Sequence, residues 1–248
     1  MKYSMKSRIL VLGLAGALVL ALNCKKEEPK PEEPQKLTGK VTYTKGKVVV
    51  NGKPAATGVS VEQNDKINVG KKSMAIVQFG GGAMITLRSG SVLNVAKMDL
   101  SKDGKPSVVL DQKKGFSFSK IKKGYGNYKI KSPTSVAGVR GTSFSLTVKN
   151  GKSSISLLEG KVQAIPVKKG VEQSDKAIDL EEGQKVTAAK TGLAKPKKLT
   201  KKDKKQLTAL NSIELVPEAK LKEITKDTAK EEPVIEVPKA SQEALEKG

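Results

Sequence analysis

Residues 143–159 read SFSLTVKNGKSSISLLE. Phe144, Leu146 and Val148 alternate with Ser145 and Thr147, the period of a strand with one apolar face. Asn150-Gly151 follows, a strong two-residue hairpin signal because both positions tolerate the positive φ of a tight turn. With that turn Leu146 falls opposite Ile155 and Phe144 opposite Leu157, so register and apolar face agree. Working outward, Leu158-Glu-Gly-Lys161 turns into a further strand, Val162–Val167, and a last strand, Gln184–Ala188, follows Glu182-Gly183. Upstream, glycines recur every 6 to 12 residues, with short alternating runs such as Ala75-Ile-Val-Gln-Phe79 and Ile85-Thr-Leu87 between them. This texture predicts an all-β domain over residues 38–192, an antiparallel sandwich or jelly-roll, or a β-roll. No stretch of helical period interrupts it, which argues against a βαβ parallel sheet.

Running into the hairpin's first strand, Tyr128 to Leu146 reads YKIKSPTSVAGVRGTSFSL. Pro133 biases Ser132 toward extended backbone. Gly138 and Gly141 bracket Arg140 and are expected to let the chain turn tightly on both sides. The chain has three arginines against 44 lysines, so Arg140 is a marked choice. One reading is a buried guanidinium stapling two strands through its five donors, which Lys cannot do. The other is an anion or partner contact at a glycine-walled notch. Ile130, Ser132-Pro133, Val136-Ala137-Gly138 and Val139-Arg-Gly-Thr-Ser-Phe144 together resemble the signature of the FecR domain family. Phe79-Gly-Gly-Gly82, Ile85-Thr-Leu87 and Ser91-Val-Leu93 resemble the family's upstream hairpin, with Gly81 where Asp or Asn is more usual. The resemblance covers roughly residues 38–190. The residues that carry it, Pro133, Gly138, Arg140, Gly141, Thr142 and Phe144, are expected to be structural, with the contact reading of Arg140 kept as the alternative.

The first 24 residues address the chain. Lys2, Lys6 and Arg8 precede the apolar run Ile9–Leu22, and Asn23-Cys24 follows at once. A basic start and a short apolar core form a secretory leader over residues 1–23, too short for a spanning helix. Cys24 is the chain's only cysteine and stands where a lipoprotein leader is cut and the thiol receives lipid. Leu20-Ala-Leu-Asn-Cys24 resembles the relaxed lipobox of spirochaetal lipoproteins, and with the FecR-like segment it points to the leptospiral type. Two or more acyl chains attach stably, at about 0.8 kcal/mol per buried methylene. Residues 24–37 are a stalk of charge and proline, extended at about 3.1 Å per residue. The expected location is a bacterial outer membrane, with the display face, periplasmic or surface, open.

Composition narrows the chemistry. Histidine is absent, which removes Ser-His-Asp and Cys-His catalysis and the commonest transition-metal ligand. With Cys24 lipidated, thiol chemistry goes too. Paired carboxylates and a Ser–Lys dyad have no recognisable motif here, so no catalytic residue, metal or cofactor is expected, the covalent lipid apart. Gly70-Lys-Lys-Ser73 lacks the upstream glycine of a phosphate loop. The aspartates lack calcium-loop spacing.

The net charge is +22, or +19 once Lys2, Lys6 and Arg8 leave with the leader. Residues 193–248 form a lysine-rich tail in which Lys195, Lys197, Lys198, Lys201, Lys202, Lys204 and Lys205 face only Asp203. Thr200 with Asp203 resembles a capping box, and Leu207, Leu210 and Ile213 recur at helical spacing, so a helix is expected over 201–215. It either docks on the β domain or stays mobile. The lysines are a candidate patch for anionic host or envelope polymers, or simply a solvated face. Nucleic acid is not expected: aromatics are 3% of residues and no stacking platform is visible.

The founding FecR proteins carry a cytoplasmic segment governing a sigma factor, one membrane helix, and a periplasmic domain responding to an outer-membrane transporter. This chain shows neither a cytoplasmic portion nor a spanning helix, so that route is not expected. The resemblance then implies a sensing or scaffolding domain that binds an envelope protein while a lipid holds it to the membrane.

Overall fold

A strand with a glycine at its centre and a register slip beside it can bend out of its own sheet, and one such strand organises this molecule. The computed structural model describes residues 36–225, 227 and 234–246. The leader expected over residues 1–23, the lipid expected on Cys24 and the expected stalk through residue 35 lie outside the described residues.

The first half of the chain forms β1 (Gly39–Lys45), β2 (Val48–Val50), β3 (Lys53–Pro54), β4 (Ser60–Val61), β5 (Lys66–Val69), β6 (Met74–Phe79), β7 (Ala83–Leu87), β8 (Val92–Leu100) and β9 (Pro106–Ile121). The second half adds β10 (Asn127–Lys131), β11 (Ser135–Val139), β12 (Ser143–Lys149), β13 (Lys152–Glu159), β14 (Val162–Lys168), β15 (Val171–Glu172), β16 (Ile178–Leu180), β17 (Gln184–Ala189), β18 (Gly192–Leu193) and β19 (Lys197–Lys198). Among the described residues, helices α1 (Lys201–Asn211), α2 (Glu218–Glu223) and α3 (Lys239–Glu246) follow.

One sheet runs β4-β1-β6-β7-β9-β12-β13-β17, with β18 and β19 both against β17. The other runs β3-β2-β5-β8-β9-β10-β11-β14-β16. β9 belongs to both. Its first part pairs with β8 and β10, and from Gly115 it pairs with β12 and then β7. The slip between Val92 and Leu93 of β8 bulges β9 at Gln112–Lys114. Gly115 then takes φ +93, with the place of a Cβ only 2.4 Å from the Ser91 Cα, so no side chain fits there. The result is an all-β, sandwich-like domain. One pair departs from the antiparallel expectation: β10 runs parallel to β9, Asn127–Lys131 against Ser107–Asp111. The rest of β9 crosses to the other sheet, and the 122–126 turn brings the chain back.

The 143–159 hairpin has the expected register, Phe144 against Leu157 and Leu146 against Ile155. Its apolar face joins the core between the sheets, with Phe79, Leu87, Leu93, Leu110, Tyr128, Ile130 and Phe144 fully buried. Tyr128 meets Phe144 edge-on at 6.5 Å and shares a hydrogen bond with the Ser119 hydroxyl at 2.9 Å.

A second apolar layer lies on the opposite face of the first sheet. Met74, Ile76, Met84, Phe118 and Leu158 pack there against Leu207, Leu210, Ile213, Val216, Leu221 and Ile224 of the C-terminal segment. Lys40, Gln78, Met84, Lys120 and Ser143 form one in-register row across β1, β6, β7, β9 and β12. The tail crosses that row, and four of its members hold it. Lys120 donates to the carbonyls of Asn211 (2.7 Å) and Ile213 (2.9 Å), and the Ser143 hydroxyl to Asn211 Oδ1 (2.7 Å). The Gln78 amide pairs with both backbone groups of Val216, and Lys40 donates to the carbonyls of Lys222 and Ile224. Two expectations change. The segment from residue 193 begins inside the sheet, as β18 and β19, because β17 offers it an unpaired edge. The helix expected over 201–215 ends at Asn211, where the chain gives up its helical bonds to run across the strands.

Candidate functional site

Three turns converge beside Arg140. β11 ends at Val139, and Gly141 takes φ +60, with the place of a Cβ 2.6 Å from Lys123 Cγ and 2.8 Å from Lys123 Cα. Gly160, in the turn after β13, would bring a Cβ within 2.6 Å of the Gly141 carbonyl. The Thr142 hydroxyl donates to the Lys161 carbonyl (3.0 Å), and the Ile121 amide donates to the Thr142 carbonyl (3.0 Å). Backbone therefore packs on backbone at the base of the notch. Tyr125 steadies the 122–126 turn: its ring lies against Gly82 and its hydroxyl donates to the Phe79 carbonyl at 2.9 Å.

Of the motif residues, Thr142 and Phe144 are buried, while Pro133 is exposed at the tip of the β10–β11 turn. Ser132 closes that turn, accepting from the amides of Thr134 and Ser135. Gly138 corrects one expectation: it is an ordinary extended residue of β11, paired with Gln163 and Lys129, with open space where a Cβ would stand. Arg140 corrects a second. It is exposed and makes no hydrogen bond or ion pair among the described residues, so it staples nothing. The ladder ends at Val139, whose side chain is the last to turn inward, and Arg140 lies beyond it. The buried arginine is Arg88, with its guanidinium 4.4 Å above the Phe116 ring and its pKa drawn down to about 10 by burial.

Arg140 stands on a ridge between two grooves. One, of about 720 Å³, also takes in Lys105, Lys123, Asn127 and Asp103. Asp103 accepts from the Ser101 hydroxyl at 2.6 Å and lies 3.5 Å from Lys105; the serine bond, with the lysine's help, holds its carboxyl below the usual range. The other, of about 900 Å³, is lined by Lys161 together with Asp179, Glu181 and Glu182. Glu182 accepts from the Gly160 amide at 2.9 Å. Loop side chains on a rigid scaffold are where binding residues concentrate.

The seven tail lysines are all exposed and line neither groove. Lys197 and Lys198 lie in β19, while Lys201, Lys202, Lys204 and Lys205 crowd the start of α1. The helix is capped there by Thr200 and Asp203 in a reciprocal box, with Lys185 bonded to Asp203 at 2.7 Å. Positive charge at the positive end of a helix opposes helix formation. Sequence reasoning missed the acidic groove and the Lys40–Gln78–Lys120 clamp. The available signal was Gln78, a lone amide inside the apolar run Ala75–Phe79.

Residues 65–163 match the model of the family described as FecR protein. The matched segment contains Arg140 and both turns that pack on Gly141. No curated protein matches the chain. Two solved structures of a candidate anti-sigma factor from Parabacteroides distasonis ATCC 8503 are similar at 16% identity. Their TM-scores are 0.45 and 0.46, over 58% and 59% of this chain. The chain spans 63% of the length of those proteins. Among the described residues no helix is long and apolar enough to cross a membrane.

Proposed function

We propose that this chain is a non-enzymatic binding domain of the bacterial envelope, held to the outer membrane by lipid on Cys24, and that it engages a protein partner at the Arg140 ridge. The observation that carries the reading is Arg140 itself, an exposed arginine on a rigid base between two charged grooves, within a FecR segment. Its guanidinium is not used by the fold, and a surface arginine with a planar donor fork is suited to a partner's carboxylates. Labelling with radioactive palmitate tests the anchor: Cys24→Ser is expected to abolish incorporation, and persistence of the label overturns it. Recovery of a membrane protein from detergent-solubilised envelopes tests the binding role. Wild-type chain is expected to retain a partner that Arg140→Ala loses, and equal recovery by both rejects the ridge.

A second reading is favoured by the lysines that crowd the start of α1 against the helix dipole. They form an anion-attracting face on which the chain binds acidic envelope or host polymers. Changing all seven to glutamine is expected to remove salt-dependent retention on heparin, and unchanged retention rejects it.

A further inference from the structure

The grooves on the two sides of Arg140 differ in sign. The first is lined by Lys105, Lys123 and Arg140 with one carboxylate, Asp103, already engaged by Ser101 and Lys105. The second sets Asp179, Glu181 and Glu182 against Lys161 and the same Arg140. Lys123 and Arg140 on one side, and the carboxylates of Asp179 and Glu181 on the other, have no hydrogen-bond or ion-pair partner among the described residues. The surface is thus a dipole whose poles lie on either side of one arginine, fixed by the glycine contacts beneath it.

We infer that the ridge takes a mixed-charge protein segment, acidic where it enters the Lys105–Lys123 groove and basic where it leaves over Asp179 and Glu181, with a carboxylate paired to Arg140 at the crossing. The inference rests on the proposed binding role and names its partner's chemistry. A planar guanidinium can take a carboxylate through two parallel N–H bonds, which fixes orientation as well as charge. A polyanion fits poorly, because whatever satisfies the first groove meets the carboxylates of the second. Like charges set opposite one another suppress the wrong partner.

The test uses the full chain and fluorescein-labelled synthetic peptides followed by anisotropy at low salt. The peptides carry acidic and basic halves in either order, beside an all-acidic peptide of equal length and a heparin oligosaccharide. One mixed-charge peptide is expected to bind more tightly than the all-acidic peptide. Arg140→Ala should weaken it by roughly tenfold or more, with Arg140→Lys in between. Asp179→Lys with Glu181→Lys leaves the glycine contacts untouched and should invert the preference toward the all-acidic peptide, which a merely structural role of these residues would not produce. The inference is overturned if the all-acidic peptide or heparin binds wild type at least as tightly through Arg140. It is also overturned if the double charge reversal leaves the preference unchanged, or if no mixed-charge peptide binds. Should the peptides fail while Arg140→Ala still loses its envelope partner, this inference falls and the binding role stands. Should both be indifferent to Arg140, the two fall together.

Discussion

Gly141 and Arg140 are neighbours with opposite duties. Gly141 holds a positive φ and lies where a Cβ would strike Lys123, so both conformation and space demand glycine. Gly141→Ala is expected to cost about 1–3 kcal/mol, the range for a non-glycine residue held in such backbone, and to lower the thermal midpoint by several degrees. Arg140→Ala touches no internal bond and should leave that midpoint nearly unchanged. Thermal unfolding of the two variants separates scaffold from surface, and a large drop for Arg140→Ala would return that residue to a structural role. The scarcity of arginine made Arg140 conspicuous in the sequence. Its exposure was not legible, because alternation cannot say which way a residue points once the ladder has ended. Gly81 is a parallel case: it stands where the FecR pattern more often has Asp or Asn, and here a Cβ would come within 2.9 Å of Glu218 Cβ. Glycine makes room for the docked tail.

At the scale of elements, α1 carries a pH dependence that can be derived. Burial pushes the Asp203 carboxyl up, but hydrogen bonds from Lys185 and from Thr200 outweigh it and hold the pKa below its ordinary 3.8. A carboxylate whose folded pKa is depressed contributes stability that is complete above its unfolded value and is lost as pH falls through the folded one. The start of α1 is therefore expected to loosen only below the ordinary carboxylate range. Hydrogen exchange of residues 201–211 on acid titration should show it, and Asp203→Asn should flatten that response while raising exchange at neutral pH. An acid response that survives the substitution would assign it to other groups. Thr200, Asp203 and the leucine spacing announced this helix in the sequence. Its end at Asn211 could not be read there, because Lys120, which takes the last carbonyls, is distant in sequence.

On the scale of the whole molecule the tail completes the domain. Without it Met74, Ile76, Met84, Phe118 and Leu158 would form an apolar patch, each residue losing burial worth about 1.5–3 kcal/mol. A chain ending at Leu199 is expected to bind a hydrophobic dye and to self-associate, seen by fluorescence and light scattering. A monodisperse, dye-free product would show the tail to be dispensable. The sequence by itself determined what depends on neighbours: strand alternation, the Asn150-Gly151 turn with its register, and the capped start of α1. Only the tertiary structure decided that β9 serves two sheets, that Lys40, Gln78 and Lys120 form one row under the tail, and that Arg140 divides grooves of opposite sign. The physical reason is range. Backbone propensity and side-chain period act over a few residues, whereas a groove's charge and a clamp's partners come from strands far apart in sequence, brought together only when the sheets close.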